Sequence, residues 1–172
     1  MSDLRVLVMM GSDSDLGVMA EAAKVLTKLE IGHEVVVTSA HRSPERTAEI
    51  IQQAPGRGVR VFIAGAGAAA HLAGVVAAHT TLPVLGVPLS ASDLQGLDAL
   101  LATVQMPAGI AVGCLAIGKA GAANAAWLAA SILSISDERI AERLVQERRS
   151  MAEKVVAKSA AAQTKLGEFL SS

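Results

Sequence analysis

A three-layer α/β/α architecture around a five-stranded parallel sheet is the fold class this sequence predicts. Apolar runs of strand length recur along the chain, each followed by a helical pattern, with short connections between them. Right-handed crossovers return every strand in the same direction and place helices on both faces of the sheet. Composition agrees. Of the 172 residues 52% are apolar and only 2% aromatic, so Ala, Val, Leu and Ile must fill the core and bring helices close to strands.

The elements follow in order. Leu4 to Met10 reads as the first strand, and Ser14 to Leu29 as a helix with Asp13 or Asp15 near its start. His33 to Thr38 is the second strand, followed by a helix from Ser43 to about Gln53 with Pro44 at an early position, where its missing N–H costs nothing. After the turn Pro55-Gly56-Arg57-Gly58, Val59 to Ala64 is the third strand, and a Gly65-Ala66-Gly67 loop leads into an Ala-rich helix through His79. Pro83 to Val87 is the fourth strand, and Asp93 to Val104 a helix capped by Ser92 or Asp93. Ile110 to Leu115 is the fifth strand and Gly121 to Leu133 a buried helix. Five such units fit the flavodoxin-like order 2-1-3-4-5, whose switch point lies between strands one and three. That order gathers Ser12 to Asp15, Ser39 to Arg42 and Gly65 to Gly67 around one crevice at the carboxyl ends of the strands.

Residues 4–135 form this core within a single domain of residues 1–172, and residues 137–170 differ in kind. The tail is charged and helical in period, with a broken apolar stripe through Leu144, Met151, Val155 and Val156. Spacing alone does not choose between packing on its own domain and reaching a neighbouring subunit.

Charge and composition exclude several classes. A net charge of −1 argues against nucleic acid as the main partner, and two Phe, one Trp and no Tyr leave no stacking platform for bases. Neither the short run Val6 to Met10 nor the stretch Ile110 to Ile135, broken by Lys119 and Asn124, reads as a leader or a membrane span. Cys114 stands alone in an apolar run and reads as a small buried hydrophobe, which fits a reducing cytoplasm. The four histidines are scattered without metal-ligand spacing, so metal binding is not expected, and Gly118-Lys119-Ala120-Gly121 is no Walker loop.

Three segments carry candidate chemistry. Gly11-Ser12-Asp13-Ser14-Asp15 offers hydroxyls, carboxylates and free N–H groups at a helix start, where phosphate binds. Ser and Asp are also ordinary caps, so alone this segment reads as a capped turn. Ser39-Ala40-His41-Arg42-Ser43-Pro44 follows a strand and pairs an imidazole, which can give or take a proton, with a planar anion clamp. Its plain alternative is a solvated loop with Arg42 paired to Glu45 or Glu49, and the residues leave both open. In Gly65-Ala66-Gly67-Ala68-Ala69-Ala70-His71 the small residues admit close backbone approach to a ligand, and His71 is a candidate for orienting the loop or a substrate carboxylate. His33 and His79 read as structural.

Together these segments resemble the bacterial N5-carboxyaminoimidazole ribonucleotide mutases of purine biosynthesis, the class I phosphoribosylaminoimidazole carboxylase catalytic subunits. The likeness runs through Met10 to Asp15, Ser39 to Pro44, Ala64 to Leu72, Pro83 to Pro88, Gln105 to Pro107 and Ala116 to Ala126. It implies a homo-octamer without metal or organic cofactor that rearranges N5-carboxyaminoimidazole ribonucleotide to 4-carboxy-5-aminoimidazole ribonucleotide. By residue, it implies that His41 is the acid–base group and that Ser12, Asp15 and Arg42 bind substrate. Ser14 and Ser39 then lie on the phosphate side, and Ala66, Gly67, His71 and Leu72 belong to the loop around carboxylate and base. Ala68 stands where the family usually has Gly, Ala73 where Pro usually follows His-Leu, Leu16-Gly17 at a common Trp, and Ala111 at a Pro. None of these removes a functional group. The rivals are direct carboxylation of aminoimidazole ribonucleotide by carbon dioxide, a carboxylase acting on another heteroaromatic ring, and a non-catalytic nucleotide-binding module.

Overall fold

All strands of the sheet run in one direction, in the order β2-β1-β3-β4-β5. The computed structural model describes residues 3–171. The strands are β1 (Leu4–Met10), β2 (Gly32–Val37), β3 (Val61–Gly67), β4 (Val84–Leu89) and β5 (Gly113–Cys114). The helices are α1 (Leu16–Lys28), α2 (Pro44–Gln53), α3 (Leu72–His79), α4 (Leu97–Val104), α5 (Lys119–Ser134) and α6 (Glu138–Ser171). Single 3-10 turns cover Asp13–Asp15 and Pro55–Arg57.

Strand alternation sorts the core into two layers. Val6, Val8 and Met10 of β1, Val61 and Ile63 of β3 and Leu85, Val87 and Leu89 of β4 face α1 and α5. Leu7 and Met9, Phe62 and Ala64, and Val84 face α2 and α3 on the other side. α5 reaches α1 and the sheet through Ala122, Ala125, Ala126, Ala129 and Ala130, all fully buried. With no bulk beyond Cβ, this helix approaches its neighbours closely and makes up in contact what it lacks in side-chain area.

Three expectations need correction in detail. The Gly65–Gly67 segment is the end of β3 and not a loop, because Ala66 and Gly67 pair with Pro88 and Leu89 of β4. α4 starts at Leu97 rather than Asp93, since Gln95 and Gly96 both take positive φ and interrupt the helix, while the Ser92 hydroxyl is occupied by the Leu94 N–H and the Asp98 carboxylate. β5 pairs through only Gly113 and Cys114, with the Leu115 N–H adding one bond to Gly86.

α6 is tied to the body at its root. Ile140 is buried and Leu144 packs against the α1/α5 layer. Arg143 donates to the Leu29 carbonyl at 2.9 Å and pairs with Glu30, so a cation closes the carboxyl end of α1. Lys28 pairs with Glu147, and Asp137 lies 3.8 Å from Arg5 and 3.6 Å from Arg139. Among the described residues no helix is long and apolar enough to cross a membrane.

An alanine Cβ at position 121 would lie 1.6 Å from the Ala116 carbonyl oxygen, whereas nothing lies within 4 Å of one at position 17. Gly121→Ala is therefore expected to cost about 1–3 kcal/mol and lower Tm by thermal unfolding, as overpacking does. Gly17→Ala, inside α1, should leave Tm unchanged or raise it.

Candidate active site

Parallel strands deliver their following loops to one edge, and at the switch point between β1 and β3 these loops surround a cavity of about 350 Å³. Ser12, Ser14 and Asp15 come from the loop after β1, and Ser39, His41 and Arg42 from the loop after β2. The end of β3 and the turn beyond it contribute Ala66, Gly67, Ala68, Ala69 and Leu72. Every candidate binding residue but His71 lines this space, and His71 joins it through His41.

The loop after β1 is internally satisfied. The Ser12 hydroxyl accepts from the Ser14 N–H at 3.3 Å, and the Asp15 carboxylate accepts from the Ser12 N–H at 3.1 Å, which completes a reciprocal cap. The Ser14 hydroxyl donates to that of Ser12 at 2.9 Å. Burial pushes the Asp15 carboxyl above its ordinary value of 3.8, with the neighbouring Asp13 charge adding to the rise and the Ser12 N–H opposing it. The residues that cap the helix start are thus the ones that line the cavity.

The loop after β2 is held from below. Thr38 and Thr47, both buried, share a hydroxyl–hydroxyl bond of 2.8 Å, and the Thr47 hydroxyl also lies 3.0 Å from the Ser43 carbonyl. The Ser39 hydroxyl accepts from the Arg42 N–H at 3.1 Å, and the Ser43 hydroxyl donates to the Ser39 carbonyl at the same distance. These bonds fold residues 39–43 into a tight turn, so His41 and Arg42 stand at its exposed crest. Arg46 is spent on the Val37 carbonyl. Arg42 makes no ion pair with Glu45 or Glu49 or with any other described carboxylate, which leaves its guanidinium available at the cavity.

His41 and His71 meet across the crevice, Nε2 to Nδ1 at 2.8 Å, with ring centroids 4.9 Å apart and planes at 89°. Such a bond needs one imidazole offering N–H and the other a lone pair. His71 reaches this position because Ala68 takes a left-handed φ of 51° and turns the chain sharply out of β3. Two short backbone bonds, Ala70 N–H to Ala68 carbonyl and His71 N–H to Ala69 carbonyl, tighten the turn just before α3. A left-handed alanine costs roughly 1–2 kcal/mol relative to a right-handed one.

Sequence reasoning missed Ala91 and the Thr38–Thr47 pair. Ala91 follows the end of β4 at the same sheet edge and lines the cavity, and a Cβ on Gly67 would come within 2.3 Å of its methyl. Its signal was its place just after a strand. His33 and His79 lie elsewhere: His33 Nδ1 bonds the Ile31 carbonyl at 2.9 Å, and His79 ends α3. Burial raises the Cys114 thiol, in keeping with an unreactive side chain. Among the described residues no three His, Cys, Asp or Glu side chains gather as a metal would require.

The sequence profile of the AIR carboxylase family matches residues 5–154. N5-carboxyaminoimidazole ribonucleotide mutases of Vibrio parahaemolyticus, Pseudomonas aeruginosa and Pyrococcus abyssi are 51%, 53% and 54% identical to this chain. The alignments cover 90%, 87% and 86% of this chain and 96%, 91% and 83% of theirs. The crystal structure of Treponema denticola PurE is similar with a TM-score of 0.81 at 27% identity, over 90% of this chain and 96% of that one.

A carboxyl whose folded value is raised binds more protons folded than unfolded, so ionising it subtracts from stability as pH rises. Asp15→Asn, which keeps an acceptor for the Ser12 N–H, is expected to raise Tm modestly at neutral pH. The gain should shrink as pH falls towards 3.8, as followed by calorimetry.

Proposed function

The chain belongs to the AIR carboxylase family, and on that premise we propose that it rearranges N5-carboxyaminoimidazole ribonucleotide to its 4-carboxy isomer with His41 as the acid–base group. The relatives matched over most of their length are named for this mutase activity. One observation supports the mechanistic part. A histidine pair joined at 2.8 Å stands at the mouth of a cavity that a carboxylate-free arginine also lines.

The chemistry asks one group to move a proton twice. His41 gives a proton to N5, the N5–carboxylate bond breaks, and carbon dioxide leaves while the ring keeps the amine. C4 then attacks carbon dioxide, a carbon–carbon bond forms, and the C4 proton passes to His41, which returns to its starting state. His71 holds the imidazole in one orientation. Arg42, with Ser12, Ser14 and Ser39, takes the phosphate, so binding energy far from the reacting atoms positions the ring. Asp15 takes a ribose hydroxyl or the base. Ala66, Gly67 and Leu72 close the wall around carboxylate and base, where the small side chains of Ala68, Ala69 and Ala91 leave room for released carbon dioxide.

His41→Asn is expected to lower kcat by about 10²–10⁴-fold with substrate affinity largely kept, the span usual for loss of a general acid–base group. Arg42→Ala should raise KM instead. Both are read by steady-state rates and calorimetric binding of aminoimidazole ribonucleotide. Full activity of His41→Asn would refute the assignment. Turnover of the N5-carboxy substrate should persist at low bicarbonate, where a direct carboxylase stalls.

The same proposal includes assembly into an octamer and a cytoplasmic setting, the latter supported by a single, partly buried cysteine. α4 is apolar on both sides: Ala99 and Thr103 face the sheet, while Leu97, Leu101 and Val104 face outward beside exposed Leu94 and Ile117. A helix of this kind belongs inside a core or an interface. Leu101→Glu is expected to reduce the particle mass measured by light scattering, and an unchanged mass would remove α4 from the interface.

A further inference from the structure

Ser43 occupies the N-cap of α2, yet its hydroxyl makes no bond to the start of that helix. A serine there ordinarily accepts from an N–H of the first turn, and that bond is what makes it a good cap. Pro44, at the first helical position, lessens the need by removing one donor. The hydroxyl turns back into the loop after β2 instead. It accepts from the Ser39 N–H at 3.2 Å and donates to the Ser39 carbonyl at 3.1 Å. The Ser43 N–H adds a bond of 2.9 Å to the same carbonyl.

Thr47, one turn into α2, supports this clamp from the core side. Its hydroxyl lies 3.0 Å from the Ser43 carbonyl and 3.3 Å from that of Ser39, and bonds the buried Thr38 hydroxyl at 2.8 Å. Both backbone polar groups of Ser39 are therefore held by residues that do not line the cavity. From Ser39 the bonds continue to Arg42, whose N–H donates to the Ser39 hydroxyl oxygen at 3.1 Å. Among the described residues nothing accepts the Ser39 hydroxyl proton, which leaves it for an anion in the cavity.

We propose that Ser43 is a positioning residue, which sets Ser39 and Arg42 for the substrate phosphate without touching it. This rests on Ser39 and Arg42 being the phosphate ligands. His41 stands on the same turn but keeps a second anchor in His71, so loss of the Ser43 hydroxyl acts on KM more than on kcat.

Substitutions at position 43 separate this role from helix capping. Ser43→Ala is expected to raise KM, and the calorimetric Kd of aminoimidazole ribonucleotide, about 3–10-fold, the effect of one lost hydrogen bond, with kcat within about twofold of the parent. Ser43→Thr, which restores a hydroxyl, should return the parental Kd. Glycine starts a helix nearly as well as serine, so a capping role would spare Ser43→Gly, whereas positioning makes it bind as weakly as the alanine variant. Adding Arg42→Ala to Ser43→Ala should raise Kd by less than the product of the single effects, because both act on one contact. Parental affinity in Ser43→Ala or Ser43→Gly, weak binding by Ser43→Thr, or a full product in the double variant would each overturn the proposal. A parent chain that binds the nucleotide but does not turn over the N5-carboxy substrate overturns the mutase reading alone, and one that does neither overturns both.

Discussion

Parallel pairing of β1 with β2 on one side and β3 on the other is the constraint from which the rest follows. It makes every connection cross back over a face of the sheet, so the inner strands β1, β3 and β4 are buried on both faces and need apolar residues at successive positions. It also sends all carboxyl ends to one edge. The connections from β1 and β3 leave in opposite directions there, and the gap between them is the cavity. The location of the site is a property of the strand order, before any catalytic side chain is considered.

Local signals made much of the fold legible. β1 and α2 lie where period and proline placed them, because a run of apolar residues and a proline at a first helical position are signals that tertiary contacts do not override. The failures have a common cause. Gly65 to Gly67 looked like a loop because glycine is poor in strands, yet β4 supplies a register partner for each residue. Small size there serves close approach, to Met19 at Gly65 and to Ala91 at Gly67. At α4 a good cap was present in Ser92, but Gln95 and Gly96 turned the chain the other way before the helix began.

The site divides along the same line. That three loops converge was legible from the alternation of strand and helix. That His41 and His71 touch was not, since the contact joins residues thirty apart and depends on one positive φ at Ala68. Nor could residue types separate capping from binding in Ser12 to Asp15. The folded chain shows why: the cap geometry that satisfies the helix start also directs these groups at the cavity. Arg42 is the opposite case. Its two sequence-level readings differed in whether a carboxylate met it, and none among the described residues does.

Ala68 sets a limit on how this enzyme can change. The left-handed backbone there suits glycine without cost and admits alanine at a penalty, while a β-branched side chain at such a φ is a steric outlier. Glu30 and Gln95 hold unbranched side chains at nearly the same φ in this chain, so the bar at position 68 falls on β-branched residues. That restriction falls at a wall of the cavity and at the turn that sets the reach of His71. Ala91 and Leu72 also line the cavity, and their backbones are free of that restriction, so adaptation to a smaller or larger ligand meets no such bar there. The turn after β3 thus acts as a filter on shape rather than on size: it passes glycine and unbranched side chains and stops β-branched ones.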